Sequence, residues 1–291
     1  MNIPPSYWKD VSVVVVTYNS AAVIAACLKS VAMACQVIIV DNASTDSTCE
    51  IAARVLPSVR IIRNDHNIGF GAAVNQGMAA VKTPFGFCFS PDAVLTERAM
   101  EHLCHAAARY TETAMFGPYL RNEAGEQELY VMGPGDNQHM ALGRTPSGDF
   151  SSWFVMGGFF LCRMTAWRDI GGFDERIFLY NEDADLCLRL NQAGHHLAVI
   201  PGAVVIHAGG QSSKVTWRVK WLKDWHQTWS HLYMTAKHGD PAAAKAKAWK
   251  ILKKQGLKAV LYALLLHVDR VRGNLAKASA AAAFLRGRGS R

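Results

Sequence analysis

What the chain lacks narrows its class before anything it contains. No apolar run approaches the roughly 20 residues a helix needs to cross a bilayer. The longest apolar stretch in the C-terminal part, Ala259–Val268, has ten residues. Its seven cysteines are scattered and odd in number, with no C-x-x-C pair. A disulfide scaffold and a zinc ribbon are therefore excluded, and reduced, buried thiols in a cytosolic protein are expected. The opening Met1-Asn-Ile-Pro-Pro5 has no basic segment leading into an apolar one. No secretory leader is expected, and the sequon Asn42-Ala-Ser44 then carries no meaning for glycosylation. Glycine-rich phosphate loops are missing as well. The segment Gly69–Gly77 lacks G-x-G-x-x-G spacing and follows the third expected strand rather than the first, and no G-x-x-x-x-G-K-[ST] occurs. A dinucleotide fingerprint and a P-loop are both ruled out.

Acidic residues are scarce in one place only. Residues 214–291 hold 17 Lys/Arg and 3 Asp/Glu, whereas residues 1–213 hold 14 and 20. The net charge of +8 thus belongs to the last quarter. Such asymmetry suggests an acidic partner for that region, and the plainer reading is a solvated helical face. Trp217, Trp221, Trp225 and Trp229 recur every four residues, which suits a packed helix face better than a base-stacking platform. Nucleic acid is accordingly not the expected partner. Lys245, Lys247, Lys250, Lys253, Lys254 and Lys258 suit anionic headgroups, so peripheral membrane association at the inner face is expected. Packing on the rest of the protein, or a homodimer interface, is the competing reading.

What is present begins with Val11–Val16, a β-branched run without polar alternation, as in a strand buried on both faces. Apolar runs at Gln36–Val40, Val59–Ile62, Phe85–Phe89 and Met115–Gly117 alternate with helical spacing at Ser20–Met33 (Ser20 as N-cap), Ser47–Leu56, Gly71–Val81 and Thr96–Tyr110. Repeated β-α-β units predict a doubly wound α/β sheet. Residues 118–150, rich in glycine, proline and polar side chains, read as a long loop or hairpin near the site. Trp153–Arg163 reads as a glycine-containing strand, 170–174 as a turn, Asn181–Gln192 as a helix and Leu197–Ile206 as one or two strands broken at Pro201-Gly202. Helices are expected from Ser213, from about Pro241 and over Leu257–Val271.

In such sheets ligands bind beyond the carboxyl ends of the strands. Three polar loops fall there: Thr17-Tyr18-Asn19, Asp41-Asn42 through Asp46, and Ser90-Pro91-Asp92. Carboxylates after apolar strands can accept hydrogen bonds from a ribose or a base, or hold a divalent cation. Capping of the next helix is the competing reading for Asp41 and Asp46. Asp183 falls in the first turn of a helix, where the dipole favours an ionised carboxylate fit to act as a general base. An Asp185–Arg189 i,i+4 pair is the ordinary explanation of such acidic enrichment. His207 closes an apolar strand and suits either a metal or a structural role.

These segments occur in a recognisable order: VVVVTYNS (13–20), VIIVDNASTDST (37–48), NIGFGAAVNQG (67–77), SPDAV (90–94), GGFDERIFLYNEDADLCLRLNQAG (171–194) and VIHAGGQSS (205–213). Together they resemble the family 2 inverting glycosyltransferases of GT-A fold, in the rhamnosyltransferase-like branch of bacterial surface polysaccharide assembly. The resemblance covers residues 11 to about 213, with a weaker echo at Lys237-His-Gly239. It implies a GT-A domain over 1–213, of doubly wound mixed-sheet type, followed by a basic, mostly helical region over 214–291. It also implies transfer of a sugar, rhamnose among the candidates, from a dTDP- or UDP-sugar to a glycan or polyprenyl-linked acceptor, assisted by Mg²⁺ or Mn²⁺. By position, Thr17, Tyr18, Asn19, Asp41, Asn42 and Asp46 would hold the nucleoside, and Asn67, Gly69, Asn75 and Pro91 would shape the nucleotide-sugar pocket. Asp92 and His207 would hold the metal, Asp183 would be the base, and Glu182, Met156, Gly157 and Gly158 would line the acceptor side. The branch usually has Asn-Pro-Asp where Ser90-Pro91-Asp92 stands here, which touches the sugar pocket more than the metal. The other reading, a non-catalytic glycan- or membrane-binding protein on the same scaffold, would be favoured by loss of Asp92, Asp183 or His207, and all three are present.

Overall fold

In the computed structural model residues 6–122, 124–126, 130–131, 140–141, 146, 148–208 and 216–290 are described. The chain forms two compact units, Met1–Asp174 with Asp183–Ser213, and Glu175–Glu182 with Lys214–Arg291. The short segment Glu175–Glu182 thus leaves the first unit to pack with the second.

The first unit is built on a mixed sheet. Its strands are β1 (Val11–Thr17), β2 (Gln36–Asp41), β3 (Arg60–Arg63), β4 (Phe85–Phe89), β5 (Ala93–Leu95), β6 (Thr113–Arg121), β9 (Phe150–Ser152), β10 (Phe159–Arg163) and β11 (His196–His207), while β7 (Tyr130–Val131) and β8 (Met140–Ala141) form a separate antiparallel pair. The sheet order is β3-β2-β1-β4-β10-β6-β11-β5, with β9 beside β11. The strands β3, β2, β1 and β4 run parallel; β10 runs against both β4 and β6; β6 and β11 are parallel; and β5 runs against β11. Val11, Val13, Val14 and Val15 are fully buried, as a strand covered on both faces requires. The helices of this unit are α1 (Ile24–Val31), α2 (Thr48–Val55), α3 (Phe70–Ala79), α4 (Ala99–Arg109), α5 (Met164–Ile170) and α6 (Glu182–Gln192). Helix α3 comes so close to β1 that a Cβ on Gly77 would lie 2.3 Å from Val14 Cγ1.

Several expectations shift. Ser20 does not cap α1; residues 21–23 form a turn, and the Ser20 carbonyl accepts the amides of Val23 and Ile24 instead. Trp153–Gly158 is not strand, because only Phe159–Arg163 pairs with β4. Pro201-Gly202 does not break β11 in two but is absorbed as a register shift against β6 between Ile200 and Val204. Much of the expected 118–150 loop lies outside the described residues.

The second unit is helical: α7 (Trp217–His238), α8 (Pro241–Leu264) and α9 (Val268–Leu285). Helix α8 continues through Leu257 to Leu264, so 257–271 is not a helix of its own. Ala244, Ala248, Ala276, Ala280 and Ala281 are buried, and such small side chains let helices approach closely. Asp240 caps α8 through the amides of Ala242 and Ala243. His226 on α7 is buried against the ring of Phe178, with centroids 4.5 Å apart, and its Nδ1 has no hydrogen-bond partner among the described residues.

Burial lowers the His226 imidazole to about 4. Its protonation is therefore linked to folding. Between the ordinary histidine value near 6.5 and about 4, the unfolded chain takes up a proton that the folded chain refuses. Stability is then fully present above that window and falls as pH drops through it, by on the order of 1–2 kcal/mol after allowance for partial solvent screening. Melting temperatures of the wild type and of His226→Phe at pH 7 and pH 5 should show a smaller acid loss in the variant; equal losses would contradict the assignment.

Candidate active site

Strand direction brings the polar loops to one edge of the first unit. The carboxyl ends of β1, β2, β4 and β11 and the amino end of β10 all point the same way, because β10 alone of these five runs opposite to the rest. At that edge Thr17 and Asp41 are register partners. Thr17 Oγ1 donates to Asp41 Oδ1 at 2.8 Å, and Asp41 also accepts from Ser44 N at 2.9 Å and Ser44 Oγ at 2.5 Å. Three donors on a buried carboxylate leave about one of its four acceptor positions open. Asp41 therefore ties its own loop to β1 and does not cap α2.

Asn19 and Ala43, one on each of these loops, have φ of 53° and 64°. Their amides and side chains interlock: Asn19 N donates to Ser44 Oγ, and Thr45 N donates to Asn19 Oδ1, both at 2.8 Å. Asparagine tolerates this left-handed region, whereas alanine is strained there. Asp46 accepts from the Ala21 and Thr48 amides, each at 3.1 Å, and from the Thr48 hydroxyl. Desolvation works against its charge, but these hydrogen bonds prevail and hold the carboxyl below its usual range. Asn42 reaches across to the Gly69 carbonyl at 3.2 Å, and Asn67 Oδ1 accepts the Gly69 amide at 2.9 Å. Asn75 clasps the backbone of Phe173 in both directions, at 2.9 and 3.0 Å. Tyr18 is exposed.

The turn after β4 holds the second cluster. Pro91 and Asp92 lead straight into β5, and β5 pairs with the end of β11 so that Ala93 lies opposite His207. Asp92 Oδ1 and His207 Nε2 are 3.5 Å apart, and Ser90 Oγ donates to the same Oδ1 at 2.6 Å. Burial disfavours the Asp92 charge, but the hydrogen bonds from His207 and Ser90 and the histidine's charge outweigh it, so the carboxyl sits below its ordinary value. Phe159 packs edge-on against the His207 ring at 5.0 Å.

The third cluster faces these from β10 and α6. Gly157 N donates to Asp183 Oδ2 at 3.1 Å, and Ala184 N to Asp183 Oδ1 at 2.8 Å. A Cβ on Gly157 would lie 2.8 Å from Asp183 Cβ, so the contact requires glycine. Cys187 Sγ binds both the amide and the carbonyl of Val155 at 3.4 Å, fixing Val155-Met156 along α6. A Cβ on Gly158 would stand in ordinary contact with Ser90, 3.7 Å from its Cβ. Asp183, Gly157, Gly158, Ser90, Asp92 and His207 thus form one continuous line of neighbours. Glu182 opens α6 but packs with the other unit. Asp185, two residues on, is fully buried and bound to Arg189 Nε at 2.7 Å, while Arg189 also donates to the carbonyls of Ile170 and Gly172. The i,i+4 pair is real, and it accounts for Asp185 rather than Asp183.

Sequence reasoning overlooked Ser44, Thr48 and Cys187. The first two carry a visible signal, hydroxyls two and three residues after an aspartate, the spacing of Asx turns; Cys187 carries none.

The family model of glycosyl transferase family 2 matches residues 12–171, more than half of the chain. This chain belongs to glycosyl transferase family 2. A second model, glycosyl transferase family group 2, matches residues 130–265. The N-acetylglucosaminyl-diphospho-decaprenol L-rhamnosyltransferase of Mycobacterium tuberculosis is 28% identical over 238 residues, 69% of this chain and 76% of that protein. The family 2 enzyme described here is therefore a glycosyltransferase of the rhamnosyltransferase-like branch. Two solved structures share its GT-A fold. GalNAc-T7 with UDP, GalNAc and Mn²⁺ has a TM-score of 0.57 at 17% identity, over 75% of this chain and 49% of that one. S. aureus TarS 1–349 has a TM-score of 0.54 at 15% identity, over 96% and 92%.

The two neighbouring aspartates should separate by stability. Asp185→Ala strands a largely buried Arg189 and should lower the unfolding free energy by about 3 kcal/mol. Asp183→Asn keeps one of the two hydrogen bonds accepted from Gly157 N and Ala184 N and leaves no charge unpaired, so it should cost only about 1 kcal/mol. Denaturant titration of both variants measures the difference, and similar losses would contradict the division of roles.

Proposed function

We propose that this glycosyltransferase moves a sugar, rhamnose by analogy with its mycobacterial relative, from a dTDP- or UDP-linked donor to a hydroxyl of a lipid-linked glycan, with inversion. The relative's name specifies an N-acetylglucosaminyl-diphospho-decaprenol acceptor, and an acceptor of that kind, a sugar diphosphate on a polyprenol, is proposed here. Such an acceptor places the reaction at a membrane surface.

The observation that carries the reading is the line of contacts from Asp183 through Gly157, Gly158 and Ser90 to Asp92 and His207. It sets a carboxyl group at one end and a carboxyl–imidazole pair at the other. Thr17, Tyr18, Asn19, Asp41, Asn42 and Asp46 are assigned to the nucleoside side, with Asn67, Gly69, Asn75 and Pro91 shaping the pocket. Asp41 and Asp46 act there chiefly by fixing the loops whose backbone and remaining acceptors meet the nucleoside. Met156, Gly157 and Gly158 are assigned to the acceptor side.

Asp92 and His207 suit a divalent cation. Two ligands at about 2.1 Å from one octahedral ion lie about 3 Å apart, close to the 3.5 Å separation seen here. The carboxylate suits Mg²⁺ or Mn²⁺, and an imidazole, though a poorer ligand, is tolerated by Mn²⁺. When bound, the ion would neutralise charge on the diphosphate. Ser90 donates to Asp92 Oδ1 and so keeps that carboxylate oriented.

The chemistry assigned to this chain is one displacement. Asp183 accepts the proton of the acceptor hydroxyl as its oxygen bonds to the anomeric carbon. The bond from that carbon to the diphosphate oxygen breaks, and the nucleoside diphosphate leaves with the electron pair. Gly157 N holds Asp183 Oδ2, and the first turn of α6 favours the carboxylate form.

General-base help is worth about 10²–10⁴-fold, so Asp183→Asn should lower turnover by at least about a hundredfold while nucleotide binding is kept. Nucleoside diphosphate release, followed for each donor with EDTA and with Mn²⁺ or Mg²⁺ restored, should show turnover lost and regained. Near-wild-type turnover in Asp183→Asn would sink the base assignment; activity untouched by EDTA would sink the metal assignment.

A further inference from the structure

The corner between α8 and α9 exposes an unusual set of side chains. Leu257, Val260, Leu261, Leu264, Leu265, Leu266 and Val268 are all open to solvent, Leu264 at 77% and Leu266 at 86%. Soluble surfaces show such residues singly; here they crowd one short stretch. Leu257, Val260, Leu261 and Leu264 recur at three- and four-residue spacing and so form one stripe of α8. Ala244, Ala248 and Ala259, the buried residues of the same helix, lie on its opposite side.

Two further observations say what the stripe meets. The first is charge. Towards the start of α8 the same outer face carries Lys253 one turn before Leu257 and Lys250 two turns before, with Lys254 and Lys258 beside it, all exposed. From Pro241 to Val268 there are six lysines and no aspartate or glutamate. A second copy of the chain docked through the same patch would set lysine against lysine, since a twofold interface is self-complementary. The second is backbone strain. Leu266 adopts φ of 58°, a region that suits glycine or asparagine, and it is the most exposed of the seven. Solvent exposure and turn geometry both disfavour leucine at this position; an apolar partner accounts for it. No helix among the described residues is long and apolar enough to cross a membrane.

We propose that the α8–α9 corner is an interfacial anchor for an anionic bilayer. The corner enters first, with Leu264, Leu265, Leu266 and Val268 in the boundary between headgroups and acyl chains. From Leu257 to Leu264 the helix rises about 10 Å at 1.5 Å per residue, so a helix tilted with its corner downward keeps the whole stripe within the interfacial region. Lys250, Lys253, Lys254 and Lys258 then stand at the level of the lipid phosphates. The anchor gives the lipid-linked acceptor of the proposed function a surface on which to be met, but binding is measured without donor or acceptor and so stands or falls separately.

The test is co-sedimentation of the full chain with vesicles of phosphatidylcholine, with and without phosphatidylglycerol. Wild type should bind the anionic vesicles and keep a bound fraction in high salt. Leu264→Asp should weaken binding at least about tenfold with melting temperature unchanged, as an apolar contribution predicts. Leu266→Asn relieves the strained turn, so it should raise the melting temperature while weakening binding, a combination that a purely structural role would not produce. Exchanging Lys250, Lys253 and Lys254 for glutamine should abolish the preference for anionic vesicles. Undiminished binding by both leucine variants would overturn the proposal. So would a wild-type dimer, seen by light scattering, that falls apart on Leu264→Asp and binds no vesicle.

Discussion

A buried carboxylate must be hydrogen-bonded or paired, and the burial of Asp92 organises much of this enzyme. Ser90 satisfies it from within the same turn. His207 can do so only because β5, three residues long, pairs antiparallel with the last residues of β11. The arrival of β11 in turn depends on β6 beside it and on β10 running backwards between β6 and β4. The parallel half of the sheet alone would supply the Thr17 and Asp41 loops. The reversed strand adds what they lack, since its amino end carries Gly157 and Gly158 to the edge where β4 ends. One antiparallel insertion therefore places Asp183, the Gly157-Gly158 backbone and the Asp92–His207 pair together.

Close backbone approach does the rest. Gly157 admits Asp183 at a distance that no side chain would allow, and its amide holds the carboxylate it admits. Position and orientation come from one contact, so neither depends on a long side chain freezing into place. In the loops after β1 and β2 the strategy differs. There short hydroxyls, Thr17, Ser44 and Thr48, hold Asp41 and Asp46 in place, and the loops accept left-handed residues at Asn19 and Ala43. Rigidity in these loops is produced by carboxylates used as clamps.

This difference explains what could be read from the sequence. The strands and helices up to Arg109, β5 apart, are legible because buried parallel strands are continuous apolar runs and helices carry a clear period. The loops at the strand ends followed from that layout. The pairing of Asp92 with His207 did not, since it rests on a three-residue strand too short to show a period. The family's motif order, rather than spacing, linked those two residues. Asp183 and Asp185 are alike in sequence, and only burial and the reach of Arg189 to the Ile170 and Gly172 carbonyls tell them apart. Helix α5 was missed because its seven residues offer less than two full turns of pattern. The boundary between α8 and α9 was misplaced because apolar residues continue through it at helical spacing while facing solvent.

Residues 1–213 carry more acidic than basic side chains, 20 against 14. A nucleoside diphosphate brings further negative charge, so the net field of this part of the chain does not attract it. In the proposed function local positive charge has to be supplied where the diphosphate lies, and a divalent cation on Asp92 and His207 would supply it, since an imidazole ligand, unlike a second carboxylate, adds no negative charge. The lysines that could have served are concentrated after residue 213 instead, on a helix whose outer face passes from basic to apolar. Charge for the donor would then come from the ion and charge for the bilayer from the protein, which leaves each free to be set without disturbing the other.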